Sequence, residues 1–519
     1  MKHFSFVKIQ FMKNIFSLFL LLSLFACRQD PNRKVLTEIT QPLYDSTLKP
    51  FYHGVASGDP LNDRVIIWTR VTPEDSVKSI PVTWEIAEDP NFSSIYKSDT
   101  LSASATRDYT VKVDVDGLKP GQYYYYRFQA LGKTSITGRT KTIALKADSI
   151  RFAVVSCSNW EFGYFNAYDK IAKRDVDAVV HLGDYIYEYA VGGYGDSTID
   201  RKHLPAHEIV SLQDYRTRYS QYHTDKNLRL ARQQHPFITI WDDHEVANNV
   251  FSEGAQNHQQ VEGDFERRKA AAKQAYYEWI PIREAKHHYR AFSFGSMVDL
   301  IMLDERLEGR TKPVDSLSDP SYTSEAQTML GSEQLEWVKN TLSQSSTTWK
   351  VIGNQVIFSE VDQSGPYPSQ PRNLDSWDGY PVEQKAIFTF LKENKIPNTI
   401  FITGDTHASW AFEVADRKNY NAKTSAGAVA IELGTPSISS SNWNEYASDD
   451  TVKRGEQQLI KDNPHLKYGN ARDHGYLLLT LTSNKAIAEW WYITTLREPT
   501  AMEQLGKRME VTKNSASLR

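Results

Sequence analysis

Two hydrophobic periods divide the chain. Between residues 48 and 146 apolar positions alternate or form short runs: Val65–Val71 (VIIWTRV), Val82–Ala87 (VTWEIA), Tyr109–Val115 (YTVKVDV) and Tyr123–Phe128 (YYYYRF). Turn residues separate them. Period-two alternation puts one face of a strand into a core, so this segment predicts an all-β sandwich. Past residue 150 the pattern becomes short, nearly continuous apolar runs separated by stretches of helical spacing. The runs are Arg151–Cys157, Ala178–Asp184, Phe237–His244, Leu300–Asp304, Trp349–Asn354 and Thr399–His407. The helical stretches are Phe165–Lys173, Phe265–Trp279, Gln334–Leu342 and Val382–Asn394. Strands alternating with helices predict α/β layers with helices covering a sheet. Residues 186–230 and 308–330 are polar and loop-rich and are expected to form a rim. Tyr476–Thr482 and Ala486–Thr494 read as a closing pair of strands, and residues 501–519 as a frayed tail or a short covering helix.

The amino end carries a different signal. Lys13 precedes the apolar run Ile15–Ala26 (IFSLFLLLSLFA), which is shorter than the roughly 20 residues a membrane-spanning helix needs. A basic residue followed by such a run reads as an export signal. It closes on Leu24-Phe25-Ala26-Cys27, which resembles a bacterial lipobox. The resemblance implies cleavage before Cys27, lipidation of its thiol and anchoring of a lipoprotein in the cell envelope. The expected plan is a signal peptide (1–27), a polar tether (28–47), the sandwich (48–146), a catalytic domain (147–500) and the tail (501–519).

Length and charge narrow the classes. A chain of 519 residues is long enough for two or more domains. Its 60 basic and 64 acidic residues nearly cancel, so composition points to no nucleic-acid partner. There are two cysteines, Cys27 and Cys157. If Cys27 carries lipid, Cys157 has no partner for an internal disulfide. It is then either a buried hydrophobe or a thiolate ligand.

The six apolar runs share one property that bears on chemistry: each ends in residues that bind metals or move protons. In α/β proteins ligands sit outside the carboxyl ends of the strands, where such side chains converge. Asp184 closes one run, after Gly183, and a carboxylate with two oxygens can bridge two cations. Tyr187, three residues on, either reaches the same ion through its phenol or belongs to the rim with Tyr185 and Tyr189. Asp242 and Asp243 stand side by side before His244, a costly arrangement unless a cation or solvent neutralises it. His244 titrates near neutrality and suits protonation of a leaving oxygen; alternatively the loop is an ordinary helix cap with a solvated imidazole. Asp405 and His407 are two apart in a turn, and Asn354 offers a neutral amide oxygen. Arg306 is able to hold a phosphate oxygen bidentately, or to make a structural ion pair. These endings point to a metal-dependent hydrolase. Two other classes fit parts of the pattern: a metal-free hydrolase with Cys157 as nucleophile, and a non-catalytic envelope binding protein with structural metals.

From about His53 to Thr494 the chain resembles the PhoD-type alkaline phosphatase/phosphodiesterase family, which is similar to purple acid phosphatases. The resemblance is carried by HGVASGDPLNDRVIIWTRV, SC, LGDYIYEY, WDDHEVANN, QAYYEW, GNQV, TGDTHASW and HGY, in family order. It implies an αββα-layered metallophosphoesterase domain behind a β-sandwich, whose Leu118–Phe128 segment resembles fibronectin type III-like domains. It also implies Fe(III) held by Cys157, Asp184, Tyr187 and His407, and Ca(II) sharing Asp184 and using Asp243, Asn354 and Asp405. His244 takes the place of the catalytic histidine. The implied activity is hydrolysis of phosphate mono- or diesters by metal-activated hydroxide. Two departures from the wider superfamily stand out: Ser156-Cys157-Ser158 replaces Asp-x-His, and Gly404-Asp405-Thr406-His407 replaces Gly-His-x-His. A carboxylate in place of an imidazole hardens the second site and favours calcium.

Overall fold

A computed structural model describes residues 38–366 and 368–519; the predicted signal peptide and Cys27 lie outside them. Two large sheets face each other. The first has nine strands, in spatial order Glu503–Thr512, Lys485–Ile493, Gly475–Thr482, Ser149–Val155, Ala178–His181, Pro236–Thr239, Val55–Gly58, Val65–Arg70 and Thr110–Val115. The second has seven: Arg290–Phe294, Val298–Met302, Trp349–Asn354, Thr399–Thr403, Ala428–Gly434, Ser409–Ala415 and Leu466–Asn470. At the centre of each sheet the strands run parallel.

The near-continuous apolar runs follow from this layering, because a central strand is buried on both faces. In Ser149–Val155, Phe152 and Val154 meet Leu300, Met302, Val351 and Ile400 of the second sheet. Ala153 and Val155 face the other way, towards Tyr168, Ile171, Tyr219 and Trp279 on the covering helices. Those helices are Asn166–Ala172, Leu212–Tyr222, Lys226–Gln234 and Phe265–Trp279. Gly331–Gln344 and Pro381–Glu393 cover the second sheet through Val338, Leu342, Ile387 and Leu391. The result is an αββα stack.

The amino-terminal sandwich is present, and one of its sheets is shared. A five-stranded sheet containing Ser79–Ala87 and Tyr123–Ala130 packs Val82, Trp84, Ile86, Tyr124 and Phe128 onto Val55, Val65, Ile67, Val111 and Val115. Tyr124 is fully buried and its hydroxyl accepts the Lys119 N–H at 2.9 Å, anchoring the turn before its strand. The strands on the other side are continuous with the nine-stranded sheet, through parallel pairing of Ser57 with Pro236 and Gly58 with Phe237.

Several expectations are corrected. The tether is not free as far as residue 47: Glu38 pairs with the buried Arg70 at 2.6 Å and Thr40 bonds Ser220 at 2.9 Å. Residues 186–230 are not all loop, since they contain helices Leu212–Tyr222 and Lys226–Gln234. A Ser211/Asp214 capping box starts the first, but its buried face is Tyr215, Arg218, Tyr219 and Tyr222, too polar to register as an apolar stripe. The tail forms strand Glu503–Thr512 on the sheet edge; only Met509 and Val511 are buried there, which left a weak alternation. Five of the six runs stop being strand two to five residues before the functional side chains, which lie on the turns beyond; only Trp349–Asn354 keeps its candidate residue within the strand.

Gly58 sits where sandwich and catalytic sheet join. A Cβ there would lie 2.2 Å from Pro281 O and 2.7 Å from Phe237 O, both backbone. Gly58→Ala should therefore cost about 1–3 kcal/mol by overpacking and lower the melting temperature in a thermal scan. An unchanged midpoint would show that the two units are not rigidly joined there.

Candidate metal centre and active site

The site is built on turns that leave the carboxyl ends of both sheets. After Ser149–Val155 the chain turns at Cys157 (φ 60°); after Ala178–His181 it turns at Asp184 (φ 55°); after Thr399–Thr403 it turns at Asp405 (φ 63°) and His407 (φ 61°). Left-handed backbone is unfavourable for residues with a Cβ and collects at functional sites, where surrounding bonds impose it. Here the bonds are visible. Cys157 N donates to Gly183 O at 3.1 Å and Ser158 N to Asp184 O at 2.9 Å. Glu245 accepts from Asp184 N (3.1 Å), Tyr185 N (2.6 Å) and Asp242 N (2.8 Å), tying two strand-end turns together. Gly183 (φ 102°) has no room for a side chain: a Cβ would meet Asp242 N at 2.4 Å.

Three overlapping groups of potential ligand atoms result, each within 4.8 Å: Cys157, Asp184 and His407; Asp184, Asp243 and His244; Asp242, Asp243 and Asp405. Asp184 joins the first group to the second, and Asp243 the second to the third. Tyr187 belongs with the first. Its hydroxyl donates to Asp184 Oδ2 at 3.1 Å, receives the Ser440 hydroxyl at 2.5 Å and lies 3.3 Å from His407 Nε2. His407 Nδ1 donates to Ser441 O at 2.7 Å, which leaves Nε2 as its ligand atom.

The charges do not balance within the protein. Burial drives Asp184 well above the ordinary carboxylate range despite His244, and Asp243 and Asp242 push it further. Burial takes Asp242 to about 8 even beside Arg306, and Asp405 to about 7. Burial also raises Asp243, but His244 and Arg306 outweigh it and hold this carboxylate low. Asp242 Oδ2 is buried without a hydrogen-bond partner. Buried carboxylates this close together need cations, so the residues present fit metal ions. Sulfur, imidazole and phenol around Asp184 suit a transition ion, and the carboxylates of the third group suit a hard one.

Arg306 and Asn354 are placed differently from the other predicted residues. Arg306 is fully buried beneath the acid cluster. It bonds Asp242, Asp375 (2.8 Å) and Asp405 (3.3 Å) and lies 3.8 Å from Asp243. This is the structural ion-pair alternative; the guanidinium is already committed and is not an open phosphate clamp. Asn354 is buried, with Oδ1 accepting from Trp377 Nε1 at 3.0 Å and Nδ2 donating to Val356 O and Thr403 Oγ1. Its amide oxygen is thus shared with an indole.

Two residues without a role in the sequence reading belong to the site, Glu245 and Glu188, and Asp242, read there only as one of an adjacent carboxylate pair, falls within the third ligand group. Glu188 accepts from His244 Nδ1 at 2.7 Å, and its other oxygen accepts Asn248 N and Asn257 Nδ2, both at 2.8 Å. Glu188 and Glu245 adjoin residues that were singled out, and adjacency was the one signal available. Burial lowers the His244 pKa, but Asp243, Glu188 and Asp184 outweigh it and hold the imidazole well above its usual range. Cys157, by contrast, is fully buried, and burial with Asp184 pushes its thiol up. That is the reverse of an activated nucleophile.

An αββα stack with joined acid, imidazole and thiol clusters at its strand ends defines a metal-dependent phosphoric ester hydrolase. Comparison with known proteins narrows the class. The PhoD-like phosphatase family profile matches residues 152–490, and that of the PhoD-like phosphatase N-terminal domain matches 39–144. Alkaline phosphatase D of Bacillus subtilis (strain 168) is 36% identical over 482 residues, spanning 87% of this chain and 79% of that protein. A solved structure of PhoD superimposes with a TM-score of 0.82 at 35% identity, covering 91% of this chain and 92% of that one. The chain belongs to the PhoD-like phosphatase family.

The Glu188–His244 pair has a readable pH consequence. A carboxylate beside an imidazole favours the protonated ring, so Glu188→Gln must let His244 lose its proton at lower pH. If protonated His244 serves the leaving oxygen, the alkaline limb of the kcat/KM profile moves to lower pH in Glu188→Gln. A limb that stays in place would assign it to another group.

Proposed function

We propose that this chain is an exported, lipid-anchored alkaline phosphatase and phosphodiesterase whose site holds Fe(III) and Ca(II). The observation that carries the reading is the chain of three ligand groups linked through Asp184 and Asp243, with His244 in the middle group. The relative's description as an alkaline phosphatase supports the phosphatase part. The diesterase part, and the identity of the metals, follow the family resemblance in the sequence. In this reading Cys157, Asp184, Tyr187 and His407 hold iron, and Asp184, Asp243, Asn354 and Asp405 hold calcium. When bound, the cations supply Lewis acidity towards the phosphoryl oxygens and the attacking water.

The protein's own part is positioning and proton transfer. Glu188 accepts a hydrogen bond from Nδ1–H of His244, fixing the tautomer and ring so that Nε2 meets the substrate. From there His244 gives a proton to the departing oxygen, a contribution worth about 10²–10⁴ in rate. Arg306, below the carboxylates, offsets part of their charge and leaves the rest for cations. Neither alternative class is favoured: a buried, neutralised thiol makes a poor nucleophile, and a non-catalytic binding role leaves the Glu188–His244 pair without a purpose.

The test is turnover of an aryl phosphate and a bis-aryl phosphate by purified protein supplied with iron and calcium. Hydrolysis that chelation abolishes is expected, with equimolar iron and a tyrosinate charge-transfer band that disappears in Tyr187→Phe. Inactivity on both esters would sink the proposal; zinc or manganese without the band would overturn the iron assignment alone. Export and anchoring rest on Lys13, Ile15–Ala26 and Cys27. Fractionated cells should show the protein with the envelope membranes and Cys27→Ser outside them; an unchanged distribution would refute the lipid anchor.

A further inference from the structure

The segment Tyr185–Tyr189 sends three tyrosines to three different places. Tyr185 is buried, with its hydroxyl 3.0 Å from His223 Nε2. Tyr187 is fully buried among the ligand atoms, and its ring stacks 4.2 Å from His244 at 32°. Tyr189 is only half-buried. Its ring lies 5.4 Å from His244 at 54°, and among the described residues its hydroxyl makes no hydrogen bond. A third ring braces it: Tyr194 is 5.6 Å away at 63°. Tyr194 is itself held by Phe162 at 4.8 Å and by a 2.7 Å bond between its hydroxyl and Ser441.

With Nδ1 of His244 bound to Glu188, Nε2 is the nitrogen left for the leaving oxygen. Whatever that oxygen carries must continue past the imidazole. Tyr187 on one side is closed off by packing, so the partly open ring beside the acid is Tyr189. Among the described residues no Lys or Arg stands over the Tyr187, Tyr189 or Tyr194 rings, and Arg218, which binds the Tyr187 and Tyr189 carbonyls, is fully buried. Behind the rings stands the Glu188 carboxylate. An additional anionic group on the leaving side would find no partner here, whereas a flat uncharged ring would find a fixed aromatic face.

We propose that Tyr189, braced by Tyr194, is the leaving-group subsite and selects phosphate esters whose leaving group presents a flat, uncharged ring. The proposal rests on the phosphoesterase reading above for the role of His244. Its test does not need turnover: binding of benzylphosphonate and methylphosphonate to the metal-loaded protein, measured by calorimetry. Benzylphosphonate should bind about tenfold more tightly, the scale of one ring stacked on an aromatic side chain. Tyr189→Ala should abolish that advantage with little effect on methylphosphonate, and Tyr189→Phe should keep it. Equal affinities in the unaltered protein, no binding of either phosphonate, or equal weakening of both by Tyr189→Ala would each overturn the proposal. A ring preference in a protein that hydrolyses no ester would leave the subsite standing and remove the phosphoesterase reading instead.

Discussion

Negative charge held out of water is the constraint around which this molecule is organised. Asp184, Asp242 and Asp243 are buried, Asp405 is half-buried, and Cys157 stands among them fully enclosed. At an effective dielectric of about 20, two like charges 4 Å apart repel by roughly 4 kcal/mol, several times the net worth of a typical hydrogen bond at about 1 kcal/mol. Among the described residues, Arg306 and His244 oppose that repulsion at close range. Without cations the cluster relieves that repulsion by holding protons on Asp184, Asp242 and Asp405, so the fold has to keep these acids together for cations to take the protons' place. Its means is a set of carboxylates that act as staples. Glu245 binds three backbone N–H groups across two turns of the first sheet. Glu305 plays a similar part on the second, accepting two backbone N–H groups, Gln355 (2.9 Å) and Val356 (3.0 Å), and the Trp377 indole Nε1–H (3.0 Å).

Why two sheets are needed follows from the same constraint. Cys157, Asp184 and the Asp242–His244 stretch come from the first sheet, Asn354, Asp405 and His407 from the second. A single sheet spreads its strand ends along a line at about 4.8 Å per strand, so three distant strands could not share one ion. Facing sheets close that line into a pocket. The core between them, with Phe152, Val180, Leu300 and Ile402, is what fixes the distance across it. The sandwich contributes through continuity: its strand Val55–Gly58 pairs beside Pro236–Thr239, the strand that leads into Asp242.

The parts of this arrangement that were legible in the sequence are those with a strong physical signature. Central strands read clearly because burial on both faces makes them continuously apolar, and Trp349–Asn354 and Phe265–Trp279 have the bounds their patterns predict. Ligand-type residues at strand ends were equally visible. Less legible were elements whose burial depends on polar atoms, such as Leu212–Tyr222, and strands such as Glu503–Thr512 that pair on an edge with few buried residues. The partners of the site were the hardest. Nothing in the spacing of Glu188, Glu245 or Asp375 distinguishes a staple from a solvated acid. The difference is made by which N–H groups the distant chain brings to them. Arg306 shows the reverse case: its charge was evident, but its direction, downward into Asp242 rather than outward to substrate, is a tertiary fact.

The segment Gly183–Tyr189 shows how much one irregular stretch can carry. It is neither helix nor strand, so its side chains follow no shared face. Gly183 permits the approach to Asp242, Asp184 bridges two ligand groups, and Tyr185 enters the helical layer. Tyr187 turns to the ligand atoms, Glu188 to His244, and Tyr189 to the opening. A regular strand would have sent alternate residues to opposite faces and could not have pointed Tyr187 and Glu188 into adjoining parts of one site. The backbone groups that regular structure would have satisfied are instead met by Glu245 and by Arg218, fully buried and bonded to the Tyr187 and Tyr189 carbonyls. The helix Leu212–Tyr222, hidden in the sequence by its polar buried face, therefore has a definite purpose: it delivers the guanidinium that lets this stretch remain irregular.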